Sequence, residues 1–248
     1  MRRNIALAIG AAQSTELGFG KVENGGADAL QRSYAGPPVS DPIAPNGSGG
    51  SRWPLLSSRM ALERDIHMRF VNAAFGSTSI TNKGITTSDN WCGDPALFDR
   101  DSGLLDAAGT NNLLRANVVK TGLDAISKHW EKWVYVSIGQ RDGGQGETLA
   151  NFRDGYICYV NWCLNQGYKV IVAFTLSAPN LNAWMTDVGS PAVKQVIEHF
   201  ADNPNVFEGA NLHDLGIGPT YDGFHPYSVT LQDMADADYN ALVNNAGW

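Results

Sequence analysis

Charge is scarce in this chain of 248 residues, and positive charge scarcer still: 17% of residues are charged, 18 basic against 25 acidic, for a net charge of −7. Lysine and arginine are scattered along the chain rather than massed in blocks. A groove for nucleic acid or a face for an anionic membrane needs a concentrated positive field, so neither partner is expected. Long hydrophobic runs are missing too. No stretch approaches the roughly 20 apolar residues that cross a bilayer, so no membrane span is expected and the chain reads as soluble. Cysteine is rare: Cys92, Cys158 and Cys163 cannot all pair within one chain, and they lack the close double spacing of a zinc site. Cys158 and Cys163 fall in a segment of helical period, where they read as small buried hydrophobes. Internal repeats are absent.

What is present is apolar material for one large core. With 43% hydrophobic residues the chain is long enough to bury it, and residues 1–248 read as a single domain. Short runs rich in β-branched and aromatic residues recur at Ile5–Ile9, Ile66–Val71, Trp133–Ile138, Val170–Thr175 and Asn205–Phe207. Between them lie segments of helical period at Leu55–Arg64, Leu113–Trp130, Thr148–Asn165, Pro191–Ala201 and Tyr227–Val243. Strand and helix alternate, and the strands are almost continuously apolar. That pattern predicts an α/β fold with a parallel sheet of about five strands, covered by helices on both faces. Gly25–Ser51 and Thr81–Thr110 break the rhythm with Gly, Pro, Ser, Asp and Asn, and both are expected to be long loops.

Open parallel sheets place ligands beyond the carboxyl ends of their strands, which directs attention to the residues following each run. These are GAAQS (Gly10–Ser14), NAAFGST (Asn72–Thr78), GQRD (Gly139–Asp142) and, before the last helix, YDGFHP (Tyr221–Pro226). In the last, Asp222 stands three residues before His225, with Gly223 between and Pro226 behind. Such a turn lets the carboxylate meet one imidazole nitrogen, fix its tautomer and leave the other nitrogen as general base. Ser14, at the end of the first strand run, is the candidate nucleophile to match it. A helix-capping role for Ser14 is weakened by Leu17, where a capping box needs Glu or Gln, and by Gly18 and Gly20.

These blocks resemble, in order, those of the SGNH hydrolases, or GDSL-type esterases. AQST (Ala12–Thr15) matches the first block, and its Gln before Ser is similar to the carbohydrate O-acetylesterase branch. WPLL (Trp53–Leu56) is similar to the stretch that opens the helix before the second strand. Gly76 matches the second block, whose glycine N–H lines the oxyanion hole. Asp222, His225 and Pro226 match the last. The third block departs from the pattern: where the family has Gly-x-Asn-Asp, this chain has Gly139-Gln140-Arg141-Asp142, with arginine in the place of the oxyanion-binding asparagine. Arg141, with its N–H donors and full charge, or the amide of Gln140 would have to supply that donor; an ion pair between Arg141 and Asp142 is the competing reading.

The resemblance implies a three-layer flavodoxin-like fold. It also implies a serine esterase with Ser14, His225 and Asp222 as triad, and Ser14, Gly76 and Arg141 or Gln140 around the oxyanion. The substrate it implies is a small acyl ester, acetyl on a carbohydrate. A lipase or thioesterase for longer acyl chains and a non-catalytic glycan-binding domain of the same fold are the alternatives. Trp53, Trp91 and Trp184 are expected in or near loops, either stacking on sugar rings or pinning those loops. The opening run, which with its two arginines and its alanines also looks like a signal peptide, is read as the first strand. It is short for a signal core, and the chain offers no other first strand. An export sequence outside this chain would be compatible with that reading, and compartment and oligomeric state are left open. His67, His129 and His199 read as packing or surface residues. His213, Asp214, Asp222 and His225 lack a familiar ligand spacing, and Gly18 with Gly20 and Gly216 with Gly218 lack the full dinucleotide-binding pattern. Neither metal nor cofactor is expected.

Overall fold

Five parallel strands form one sheet, and the three central ones are apolar on both faces over most of their length. In the computed structural model, which describes residues 3–11, 52–74, 78–81, 90–105, 114–176, 181–216 and 228–248, the opening run is β1 (Arg3–Ala11). It is followed by α1 (Trp53–Arg64), β2 (Ile66–Asn72), β3 (Ser79–Thr81), β4 (Asn90–Gly93), α2 (Leu114–Asp124) and β5 (Glu131–Ser137). Then come α3 (Gln140–Gly144), α4 (Leu149–Asn165), β6 (Lys169–Phe174), α5 (Asn182–Trp184), a π-helical turn (Met185–Gly189), α6 (Ser190–His199), β7 (Val206–Asn211) and α7 (Ser228–Asn245).

The main sheet has the order β2-β1-β5-β6-β7, all parallel. Alternate residues of the strands serve opposite layers. Ile5, Leu7, Ile9, Trp133 and Tyr135 pack against Trp53, Leu56 and Met60 of α1 and Leu242 of α7. Ala6, Ala8, Val134, Val136 and Val172 pack on the other side against Val119 of α2, Tyr156 and Val160 of α4 and Val196 of α6. The result is a three-layer α/β/α sandwich. Among the described residues no helix is long and apolar enough to cross a membrane.

The helices start and stop where their sequences direct. Pro54 lies at the start of α1, where its missing N–H is no loss. Asp65 ends that helix in the left-handed conformation, φ 53°, and returns its N–H to the carbonyl of Met60. Thr148 caps α4 by accepting from the N–H of Asn151.

Three expectations need correction. The segment Thr81–Thr110 is not one long loop: β3 and β4 pair in parallel, and an isolated bridge joins Asp99 to Leu104. Packing overrides the turn-rich composition here, since Ile80, Trp91 and Cys92 are completely buried against the α4 layer. Second, α2 ends at Asp124 rather than Trp130. Third, Trp53 and Trp91 have no exposed face to offer a sugar. Trp53 meets Tyr135 edge-on, and the indole N–H of Trp91 donates to Thr78 Oγ1 at 3.2 Å. All three cysteines are free and buried.

One polar knot interrupts the apolar layer between α1, α7 and β5. Arg52 and Asp238, 1% and 0% exposed, form an ion pair. The Tyr135 hydroxyl donates to Asp238 Oδ1 and lies 3.3 Å from Arg52 Nη2, while the guanidinium sits 4.5 Å from the Trp53 ring centroid. Burial pushes the Asp238 carboxyl above its usual range, and Arg52 pulls it back down. Removing one member of such a knot leaves a charge without its counterion in a dry place. Asp238→Ala is therefore expected to lower unfolding stability by about 3–5 kcal/mol, measured by urea denaturation at pH 7.

Candidate active site

The strand order reverses at β1: the chain crosses to β2 on one side and afterwards to β5 on the other. Such a reversal opens a crevice beyond the carboxyl ends of the two strands that flank it. Register defines that edge. Ile9 pairs with Asn72 on one side and with Tyr135 on the other, and Ala11 pairs with Ser137. The chain therefore leaves β1, β2 and β5 at nearly the same level.

Beyond β5 the backbone turns sharply. Gly139 has φ +149°, and a Cβ there would lie 3.1 Å from the Phe152 ring, so this entry to α3 needs glycine. The turn is braced by Thr175, whose hydroxyl donates to the carbonyl of Ile138 at 3.0 Å. Gln140 Nε2 donates to the carbonyl of Leu176 at 3.1 Å. Leu176 in turn packs with Ala210, Leu212, Leu231 and Met234. That small cluster brings the first turns of α7 to the same edge as α3.

The four residues of the third block face different surroundings. Arg141 is half-buried, and its Nε is buried without a hydrogen-bond partner among the described residues. Asp142 makes no ion pair with it. The Asp142 carboxylate, 0% exposed, accepts from the N–H of Ile80 at 3.0 and 3.1 Å through its two oxygens, and from the N–H of Thr81 at 3.4 Å. Glu147, 2% exposed, lies just beyond α3. It accepts from Thr81 Oγ1 at 2.6 Å, from the N–H of Thr148 at 2.8 Å and from Asn151 Nδ2 at 3.1 Å. Both carboxylates thus grip the three-residue strand β3. Sequence reading missed this, because an acidic residue beside an arginine in a glycine-rich stretch gives no sign of burial. Trp184 is half-buried beside the same helix, with its N–H on the carbonyl of Glu147 at 2.8 Å and its ring edge-on to Phe152.

Ser14, Gly76, Asp222 and His225 lie outside the described residues. Described residues bracket each of them in sequence: Ala11 before Ser14, Ala74 and Thr78 around Gly76, and Gly216 and Ser228 around the Asp222–His225 block. His213 and Asp214 stand on a short 3₁₀ turn after β7, where Asn211 accepts from the N–H of Asp214 and donates to its carboxylate. His67 is buried in β2, and His129 and His199 are exposed.

Burial pushes the Asp142 carboxyl up to about 7, against the lowering influence of the Ile80 and Thr81 N–H groups, with Glu147 nearby adding to the rise. The unfolded chain has the ordinary value of 3.8. Between these values the folded protein holds a proton that the unfolded chain has released. Stability from this group is thus complete below pH 4 and is lost as the pH rises through about 7. The melting-temperature difference between the wild type and Asp142→Asn, which cannot titrate, is expected to shrink from pH 5 to pH 8 in paired scanning-calorimetry runs.

No family model matches the sequence, and no curated protein does so either. Solved structures do match. A carbohydrate esterase family 2 enzyme with a carbohydrate-binding domain, from Corynascus thermopiles (Myceliophthora fergusii), superposes over 100% of this chain and 68% of its own, at 15% identity and a TM-score of 0.56. A carbohydrate acetylesterase from Sinorhizobium meliloti covers 96% of this chain and 98% of its own, at 13% identity and 0.52. A member of the lipolytic G-D-S-L family from Veillonella parvula covers 97% and 99%, at 11% identity and 0.51. The chain therefore has the three-layer fold that these esterases share, with the same central parallel sheet.

Proposed function

We propose that the chain, taken as one domain, is a GDSL-type serine esterase that hydrolyses small acyl esters, acetyl groups on a carbohydrate in the first place. The observation that carries the proposal is the switch point. The strand that precedes Ser14 and the strand that precedes Gly139–Asp142 are neighbours in the sheet and end level with one another, and the fold is one whose solved examples include carbohydrate esterases.

In this reading the Ser14 hydroxyl attacks the ester carbonyl while His225 takes its proton, and Asp222 holds the imidazolium. The carbonyl π electrons move onto oxygen. That oxyanion is met by the main-chain N–H groups of Ser14 and Gly76 and by a side-chain donor from the third block. Collapse expels the alcohol, which leaves with the proton from His225, and the acyl group stays on Ser14. Water, deprotonated by His225, then releases the acid and restores the hydroxyl. Arg141 rather than Gln140 takes the asparagine's role: the Gln140 amide is held on the Leu176 carbonyl, whereas Arg141 Nε has no partner among the described residues. No step needs a metal or cofactor.

Hydrolysis of p-nitrophenyl acetate tests the reading. The wild type is expected to turn the ester over, with Ser14→Ala reduced to the rate of buffer and Arg141→Ala losing roughly 10²–10³ in kcat, the usual cost of one oxyanion donor. Equal rates for the wild type and Ser14→Ala would instead favour a non-catalytic glycan-binding domain, in which the substituted third block has disabled the site. Along a series from acetate to octanoate esters, kcat/KM is expected to fall; a rise would favour a lipase or thioesterase. Acetate release from acetylated polysaccharides and acetylated sialic acids identifies the carbohydrate.

A further inference from the structure

Three thiols are buried in the layer of α2, α4 and α6, and the reaction above uses none of them. Two of them, remote in sequence, are brought together. Cys92 is 0% exposed in β4, and its thiol donates to the main-chain carbonyl of Gly155 in α4 at 2.9 Å. In an α-helix the carbonyl of one residue lies beside the side chain that starts three residues later, one turn along the same face. Counted from Gly155 that residue is Cys158, also 0% exposed. Its thiol is the strongest side-chain influence on that of Cys92, ahead of Cys163. Helix and small sheet approach closely at this face: a Cβ added to Gly155 would lie 2.8 Å from the Thr81 methyl group on β3, the partner strand of β4. The Cys158 thiol also reaches the carbonyls of Asp99 and Leu104, at 3.4 and 3.7 Å, in the bridged segment that follows β4. Cys163 stands five residues further along α4 and is turned about 140° away around the helix axis.

We propose that Cys92 and Cys158 are a disulfide site, closed as the chain folds in the presence of a small-molecule disulfide, and that the bond fastens the small sheet of β3 and β4 to α4. The chemistry belongs to folding rather than to the finished fold. Burial pushes the Cys92 thiol up, so the folded, reduced protein presents almost no thiolate to a reagent. In the unfolded chain both thiols are open to solvent. The Cys92 thiolate attacks one sulfur of glutathione disulfide and expels glutathione thiolate. The Cys158 thiolate then attacks the Cys92 sulfur of the mixed disulfide and expels the second. Two protein thiols are oxidised, one glutathione disulfide is reduced to two glutathione thiols, and the two protons end on those thiols. Once closed, the bond lies out of contact with solvent, which shields it from reductant. The ladder of β4 among the described residues is to the three-residue β3, so a covalent link to the helix adds a hold that the ladder is too short to give. Neither cysteine takes part in the esterase chemistry, and the bond forms or fails independently of it.

Protein unfolded in urea under reducing conditions is refolded at pH 8 in two ways, with dithiothreitol or with a mixture of oxidised and reduced glutathione. Each sample is then unfolded in iodoacetamide, and its intact mass and proteolytic peptides are measured. The dithiothreitol sample is expected to be alkylated on all three cysteines. The glutathione sample is expected to be alkylated on Cys163 alone and to yield a linked peptide pair carrying Cys92 and Cys158. Its melting temperature is expected to exceed that of the reduced sample by roughly 5–15 °C, the usual effect of closing a long loop in a chain of this size. Cys163→Ala keeps the link, and Cys92→Ala abolishes it and leaves both remaining thiols alkylated. Full alkylation of the glutathione sample, a link that runs through Cys163, or a Cys92–Cys158 link that lowers the melting temperature overturns the proposal. If refolding from urea gives no folded protein, native reduced protein is held with the same glutathione mixture in urea below its unfolding midpoint, where local opening exposes buried groups, and is mapped with the same criteria.

Discussion

A parallel sheet buried on both faces imposes one constraint from which most of this protein follows. All of its strands run the same way, so every strand delivers the chain to the same edge. Reversal of strand order at β1 then leaves that edge open between β1 and β5 rather than covered by a crossover. The apolar layers on either side hold the strands in register without reference to what lies beyond their ends. Chemistry can therefore be assembled at the edge from segments that are remote in sequence, and the packing that supports them lies a layer below. The small cluster of Leu176, Leu212 and Leu231 carries this support to the first turns of the last helix.

The polar exceptions to that apolar packing fall into two kinds. Arg52, Tyr135 and Asp238 form a closed knot in which an ion pair and a hydroxyl satisfy one another between α1, α7 and β5. Its effect is on how two helices of one layer meet the sheet. Asp142 and Glu147 differ in having no cationic partner among their described contacts: main-chain N–H groups, hydroxyls and an amide satisfy them. A carboxylate held only by neutral donors retains its desolvation penalty, which is why Asp142 titrates so far above its ordinary range. A penalty of that kind is tolerable where it fixes a backbone path that no apolar side chain could fix. β3, with only three residues, has too little ladder to hold itself.

Arg141 lies in this setting. It follows a glycine-initiated turn and precedes the buried Asp142, so its backbone is constrained on both sides. Gln140, the other side-chain donor on that turn, gives its amide N–H to the Leu176 carbonyl. Arg141 Nε, by contrast, has no hydrogen-bond partner among the described residues.

The sequence by itself determined the architecture. Apolar runs of strand length separated by helical periods could bury their faces only as a covered parallel sheet, and each of the five runs became a strand of it. The blocks that nominate Ser14, Asp222 and His225 are also legible there, since such signals are local, but those residues lie outside the described ones. Tertiary structure alone decided that Thr81 and Trp91 belong to a second small sheet rather than a loop, because their pairing depends on α4 and on carboxylates 61 to 66 residues away. It alone decided that Asp142 turns from its arginine neighbour to Ile80, and that Trp53 and Trp91 are core. Each of these outcomes turns on which surfaces are removed from water. That is a property of the folded layers and of no single stretch of residues.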